Sequence, residues 1–409
     1  MKSFNCIIFI LLSIVFSSAC TEIPPENNEP SKIELRKKSL ELIEADQRFS
    51  FELFHQVCSL SQEENIMISP LSISYALGMT YNGARGGTGE EFVSVLHFDG
   101  LSKMEVNESY KDLMGQLKTL DEKVELVLAN SIWHVDWATV KEEFIQTNQE
   151  YFDAQVAPLD FSDPASVDVI NDWIEAKTND KIKDMLDYIP ADAYMYLINA
   201  IYFNATWKYE FDEDDTYNGN FYLQDGETGE AAFMHIEGDF KHAWTAEFQA
   251  VELPYGDGAF SMVVLLPVSS DQSIDEFVEF LDLDAWEEWF THASVQHTTV
   301  NLPKFKYAFK DLLNDPLKNL GLVTAFSDSA DFSDITEQVW LYISRVIHQS
   351  YIDVNEEGTE AAAATIVEMR WESATGNYFT ADRPFVYIIK ENSTNAILFI
   401  GKVGRPEYF

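Results

Sequence analysis

An α+β fold in one large domain follows from three features of this 409-residue chain. Apolar residues recur at helical spacing mainly in its earlier part, and runs rich in β-branched and aromatic residues crowd the later part. Beyond residue 33 no second linker, repeat or low-complexity tract divides them. With 46% hydrophobic and 14% aromatic residues, the chain has enough apolar surface to offset the entropy of ordering, which excludes wholesale disorder. The 27 Lys and Arg stand against 69 Asp and Glu, a net charge of −42. Binding phosphates exchanges counterions for basic side chains, which are scarce here, so nucleic acid is excluded as a partner.

The elements follow in order. Met1 and Lys2 precede a nearly unbroken apolar run at 7–16, too short to span a bilayer as a mature helix. Ser17, Ser18 and Ala19 then lead into Cys20, a pattern similar to a bacterial lipoprotein signal, although Ser17 stands where Leu is usual. Residues 1–19 are expected to be removed and Cys20 acylated, which places the protein at an outer membrane or cell surface. If Cys20 is not acylated, the protein is secreted. Residues 20–33 carry Pro24, Pro25 and Pro30 and read as a tether, leaving 34–409 as the folded domain. From 35 to 58, Leu42, Ile43, Phe49, Leu53, Phe54 and Val57 share a helical face, and Cys58 reads as a small buried hydrophobe. Further helices are expected at about 69–81, 85–96, 101–120, 140–151, 163–178, 272–291 and 309–320. Strand-like runs fall at 124–135, 193–204, 219–236, 250–267, 296–303 and 339–354. Two more, 385–389 and 396–403, bound a polar turn at 392–395.

Enzyme chemistry is thinly represented. The chain has no G-x-S-x-G, no H-E-x-x-H and no Walker lysine, and its three cysteines form no metal-binding pattern. Gly83, Gly86, Gly87 and Gly89 follow a helix rather than a strand, as a tight corner between helices would. Asp214, Thr216, Asn218, Gly219 and Asp225 approximate a calcium loop, but with Thr at the third position and Asp at the twelfth; an acidic hairpin turn is the better reading. His292 and His297 lack metal spacing and are assigned to a surface connection. The acidic run 282–288 is interleaved with Leu283, Trp286 and Trp289, the pattern of an amphipathic helix. No cofactor, metal or catalytic residue is expected.

The informative stretch is 355–378, NEEGTEAAAATIVEMRWESATGNY. Its good helix formers allow a solvated helix. Sorted by parity, however, Thr359, Ala361, Ala363, Thr365 and Val367 are all small or β-branched, while every charge from 359 to 368 lies in the other set. Burying an unpaired carboxylate costs several kcal/mol, so a face without charge is fit to enter a sheet and be covered. Gly358 just upstream supplies a backbone pivot.

At this point the chain resembles a serpin. Glu356, Glu357, Gly358, Thr359, Ala361, Ala362, Ala363 and Ala364 match the hinge of the reactive-centre loop in inhibitory members. Residues 65–73 (NIMISPLSI) are similar to the family's second-helix motif, and 199–203 (NAIYF) with Trp207 to the third strand of its main sheet. Residues 302–305 (LPKF), 330–333 (ADFS), 382–385 (DRPF) and 399–403 (FIGKV) with Pro406 follow in the expected order.

The resemblance implies one domain with three β-sheets, eight or nine helices and an exposed reactive-centre loop at about 356–378. It implies a monomeric suicide-substrate inhibitor of serine, or also cysteine, endopeptidases, held as a one-to-one covalent complex. It implies a shutter of Ser69, Ser72, Asn199 and His348 beneath the point where the main sheet parts, and a breach at Trp207. The family's usual spacing places the cut between Glu372 and Ser373. Neighbouring residues suit other proteases: Arg370 before Trp371 a trypsin-like pocket, Trp371 or Met369 a chymotrypsin-like one. A non-inhibitory carrier or chaperone relative is the alternative, and such relatives carry bulky or charged hinge residues that this chain lacks. Heparin-type activation is not expected, because 101–123 holds at least as many acids as bases. Membrane association is expected only through the lipid on Cys20.

Overall fold

A computed structural model describes residues 30–190, 193–338, 341–359 and 377–408. Among these residues the helices are α1 (Lys37–Leu60), α2 (Pro70–Tyr81), α3 (Gly86–Val95), α4 (Lys103–Leu117), α5 (Glu142–Phe152), α6 (Ala165–Lys177), α7 (Ile274–Phe280), α8 (Leu283–His292) and α9 (Asn314–Leu320). The strands are β1 (Asn65–Ile68), β2 (Val124–Val135), β3 (Gln155–Leu159), β4 (Met195–Thr206), β5 (Tyr217–Tyr222), β6 (Thr228–Trp244), β7 (Phe248–Tyr255) and β8 (Phe260–Pro267). They continue as β9 (Ser294–Pro303), β10 (Phe305–Leu312), β11 (Ile347–Val354), β12 (Gly358–Thr359), β13 (Asn377–Thr380), β14 (Phe385–Glu391) and β15 (Ile397–Val403).

Six strands form the main sheet in the order β10-β11-β12-β4-β2-β3. Nine others form a continuous network, β1-β15-β14-β8-β7-β6-β9-β13, with β5 also on β6. The three expected sheets are this main sheet and two sectors of the network, joined because the 17-residue β6 pairs with β5 and β9 along most of its length and with β7 at its end. Every residue of β8, β14 and β15 is buried, which explains their long apolar runs: both faces are covered, so no polar alternation appears, and the buried Lys390, Glu391 and Lys402 each have side-chain partners. Helix α2 is buried along nearly its whole length, behind β4 and β15.

Most departures from the expected elements have local causes. The helix expected at 272–291 is two helices, because Asp282 caps α8 at the Ala285 N–H (2.9 Å) and stops α7 just before it. The first part of 309–320 is strand: Phe305 and Phe309 alternate with exposed residues in β10, and only 314–320 is helical. The runs 219–236 and 250–267 each contain a turn, the second at Gly256 and Gly258, both with positive φ. In 339–354 the ladder begins only at Ile347. His292 ends α8 and His297 lies on β9, rather than both in one connection. His297 is held between Asp239 (3.2 Å) and Glu237 (3.0 Å), whose carboxylates raise its pKa. Tyr217–Tyr222 is strand, as a hairpin requires, and the glycine cluster is the corner between α2 and α3. Trp286 and Trp289 are the buried face of α8, and buried Cys58 has its thiol pushed up to about 12.

Candidate functional site

The site is built where β11 ends. Asn355 turns the chain back on itself: its side-chain oxygen accepts the N–H groups of Glu357 (3.0 Å) and Gly358 (3.2 Å), and its own N–H donates to Gly358 O (3.0 Å). The returning residues are β12, two residues long, antiparallel to both neighbours. Gly358 faces Thr206 and Thr359 faces Ala205 of β4, while Thr359 also faces Val354 of β11. Glycine is required here by approach: a Cβ on Gly358 would meet Ala205 O at 2.1 Å and Thr206 Cα at 2.7 Å. The first residue of the small set is thus inside the sheet. Thr359 is 3% exposed, and its hydroxyl lies 2.6 Å from the buried Tyr255 phenol, whose ionisation burial pushes upward.

The breach surrounds this strand. Trp207 stacks on Tyr255 with ring centroids 4.4 Å apart, and Phe211 meets it edge-on at 6.0 Å. The Trp207 indole N–H donates to Asn355 O (2.9 Å), its backbone N–H to Glu357 O (2.9 Å), and the Phe211 N–H to Glu356 O (3.0 Å). The chain entering the hinge is thus fixed by three bonds from one short segment of 207–211. Glu356 is buried, and burial alone would raise its pKa. Lys304 at 2.8 Å and the Thr216 hydroxyl at 2.7 Å outweigh that and hold the carboxyl below its usual range.

Beyond Thr359 no ladder joins β4 to β11 among the described residues. A parallel pair of edges stands where an antiparallel strand would complete both. The shutter lies beneath it. Ser69 caps α2, accepting the Ser72 N–H (3.4 Å) and donating to Leu398 O (2.7 Å), while its own N–H donates to His348 Nε2 (3.3 Å). His348 is buried and held neutral, its pKa lowered by burial to about 4. Ser72 is fully buried with no partner for its hydroxyl among the described residues. Across the gap, Asn199 donates to Asn130 Oδ1 (2.7 Å). Asn199 and His348 line one small cavity with Ile73 and Leu77 of α2.

Ser69, Ser72 and His348 are therefore grouped, Asn199 faces them from β4, and Trp207 sits with Glu356, Glu357, Gly358 and Thr359 at the upper end of the same gap. Ala361, Ala362, Ala363, Ala364, Met369, Arg370, Trp371, Glu372, Ser373 and Cys20 lie outside the described residues. Several partners escaped sequence reasoning: Tyr255, Lys304, Thr216, Asn355, Asn130 and Ser350, whose buried hydroxyl donates to Met67 O (2.7 Å). Lys304 stood within the motif at 302–305 and Asn355 at the head of the stretch 355–378, both without a role; the others meet the hinge or shutter through contacts distant in sequence.

A buried hinge strand between β4 and β11 and a polar cluster around Ser69 and His348 are thus the two parts of the site. Comparison with known proteins gives the family: the chain belongs to the serpin family. The family model described as Serpin (serine protease inhibitor) matches residues 44–406. An uncharacterized serpin-like protein of Methanosarcina acetivorans is 39% identical over 377 residues, 89% of this chain and 88% of that one. Leukocyte elastase inhibitor A of Rattus norvegicus is 33% identical, covering 90% of this chain and all of its own length (100%). Among solved structures, the thermophilic serpin tengpin in the native state superposes with a TM-score of 0.84 at 32% identity, over 92% of this chain and 96% of that one. The chain is thus of a protease-inhibitor family rather than an enzyme family.

Proposed function

We propose that this protein is a suicide-substrate inhibitor of serine, and also of cysteine, endopeptidases, trapping each as a one-to-one acyl complex. The protease attacks the carbonyl of the residue before the cut, the peptide bond breaks, and the new amino terminus leaves with a proton from the protease's general acid. The residue before the cut stays esterified to the protease. Residues beyond Thr359 then continue β12 down between β4 and β11, making bonds to both edges. Fourteen residues, from Thr359 to Glu372, reach about 45 Å at strand rise, enough to carry the acylated protease from one pole of the sheet to the other. The charge-free face from Thr359 to Val367 keeps the cost of burial low.

One observation carries this reading: Thr359 is already seated between β4 and β11, above edges that no ladder joins among the described residues. Carrier relatives tend to have bulky or charged hinge residues, and Thr359, Ala361 and Ala363 are neither. The reactive bond is Glu372–Ser373 in the register of the hinge, with Arg370–Trp371 and the bonds at Met369 and Trp371 open to other specificities, so one loop serves several proteases. The lipid on Cys20 holds the protein at an outer membrane or cell surface.

The test mixes the protein with acid-specific, trypsin-like and chymotrypsin-like serine proteases and a cysteine protease. Covalent complexes that survive SDS are expected, and mass spectrometry of the released carboxyl-terminal peptide reads the bond. A peptide beginning at Ser373 supports the register, and one beginning at Trp371 replaces it with Arg370. Turnover of the loop without any covalent complex would overturn the inhibitor reading.

A further inference from the structure

Residues 30–36 have no secondary structure, yet they are fastened along the body. Ile33 is 8% exposed in the core, and its N–H donates to Ser393 Oγ (2.9 Å) in the β14–β15 turn. The Gln116 amide at the end of α4 grips Glu34 from both sides, accepting its N–H (3.0 Å) and donating to its carbonyl (3.1 Å). Pro30 reaches the β7–β8 turn, where a Cβ on Gly258 would meet its ring at 3.2 Å. That turn belongs to the hinge pole: Tyr255 bonds Thr359 (2.6 Å), and Lys208, next to Trp207, donates to Asp257 O (3.1 Å). Asn377, at the start of β13, lies at the same pole. Asn377 donates to Gln296 (2.6 Å), which pairs with Phe240, and Phe240 meets Tyr209 at 6.1 Å.

We propose that this fastening makes the hinge pole the membrane-facing surface of the anchored protein, and that its partners are proteases seated on the same lipid surface. The inference rests on the proposed trap and the acylated Cys20. Only nine residues, or ten steps along the chain, separate Cys20 from Pro30. A random coil of that length has a root-mean-square span of about 18 Å, and the fully extended limit is roughly 35 Å. The 12 residues of β4 put the opposite pole about 36 Å further away. A protease of about 220 residues has a radius of gyration near ~17 Å and is roughly 40 Å across. Seated on the bilayer, it holds its active site at about the tether's mean height. The same protease free in solution must force itself between the hinge pole and the lipid. Insertion then carries the captured protease toward the pole facing away from the membrane.

The test uses the full-length acylated chain in phosphatidylcholine vesicles that contain a lipid-phase energy acceptor. Exposed Glu122, beside the start of β2, and exposed Asp187, at the far end of the sheet, are replaced as Glu122→Cys and Asp187→Cys and labelled; Cys58 is buried. Several-fold stronger transfer from position 122 than from 187 is expected, and equal or reversed transfer overturns the orientation. In a second arm, one protease is offered free in solution and again tethered to the vesicles, to anchored protein and to the Cys20→Ala variant. The anchored protein should react more than tenfold faster with the tethered form than with the free one. Equal rates overturn the partner assignment. Absence of any covalent complex refutes the trap and the partner assignment with it, while the transfer readout still decides orientation. An unmodified Cys20 by mass spectrometry refutes the anchor and this inference together.

Discussion

Thr359→Arg tests the strand-insertion mechanism most directly. Thr359 is the first hinge residue to sit between β4 and β11, 3% exposed, with one hydroxyl contact at 2.6 Å to Tyr255. A guanidinium at that position meets the Tyr255 phenol, which is itself packed against Trp207 and Phe203, and among the described residues no carboxylate bonds to Thr359. Leaving a charge buried and unpaired costs about 3–5 kcal/mol, and the lost hydroxyl contact adds roughly 1 kcal/mol. If that penalty is carried by the transition state for insertion, insertion slows about 10³–10⁴-fold, at roughly 1.4 kcal/mol per decade. Deacylation is not slowed, so the acyl-enzyme hydrolyses first. The assay titrates a fixed amount of protease and reads the stoichiometry of inhibition, with a denaturing gel separating covalent complex from cleaved product. Thr359→Arg should yield cleaved product and active protease, while Thr359→Ser, which keeps the hydroxyl, should inhibit normally. An unchanged stoichiometry for Thr359→Arg would refute strand insertion for this protein.

Other outcomes follow from the same geometry. Lys304→Ala leaves the Glu356 carboxylate with the Thr216 hydroxyl alone, and should cost about 2–3 kcal/mol because Lys304 itself is partly exposed; urea unfolding reads it, and an unchanged midpoint would remove the pair from the account. Cutting the loop should raise the unfolding temperature markedly, since two sheet edges gain a partner strand, and a superimposable melting curve would mean that no strand entered. Neutral His348, with a folded pKa of about 4 against about 6.5 unfolded, lets the unfolded chain bind the proton first, so its contribution falls as pH drops through this window, by about 3 kcal/mol in full. Asp46, pushed up to about 7 by burial, imposes the opposite slope over an overlapping range, so the measure is the difference between wild type and His348→Gln in urea midpoints from pH 7.5 to 4. That difference should grow in favour of the variant as pH falls, and a constant offset would place the titration elsewhere.

Legibility in the sequence tracks the range of the interaction that decides each element. Helix α1 was plain because its buried face is written in its own spacing, and β14 and β15 because each holds an apolar run of four or more residues with both faces buried. The hinge was readable because parity along one strand needs no knowledge of its neighbours. Asn355 and Gly358 explain why β12 turns where it does, but only the approach of Ala205 and Thr206 shows that it is already seated. Strand β10 hid behind a helical reading, because Phe309, Leu312 and Leu313 fall at helical spacing while the outcome is decided by pairing with β11. The shutter serines and His348 came through resemblance alone. Their chemistry lies in contacts such as Ser69 to Leu398, 329 residues apart, which no local pattern encodes.

The order of the last strands has a consequence for what a cut molecule is. Any break from 360 to 376 leaves β13, β14 and β15 on the smaller piece; β14 and β15 keep each other, while their remaining partners, β9, β8 and β1, stay on the larger. Strand β14 lies between β15 and β8 with every residue buried, so the small piece cannot peel away from an edge without opening the core. A cleaved molecule is therefore two polypeptides in one particle: two bands under denaturation, one undiminished mass in native sedimentation. Once unfolded, the pieces no longer share the effective concentration that the intact chain gave them. Their reunion becomes a second-order encounter that dilution defeats, so a molecule that refolds alone before the cut needs its lost fragment in excess afterwards.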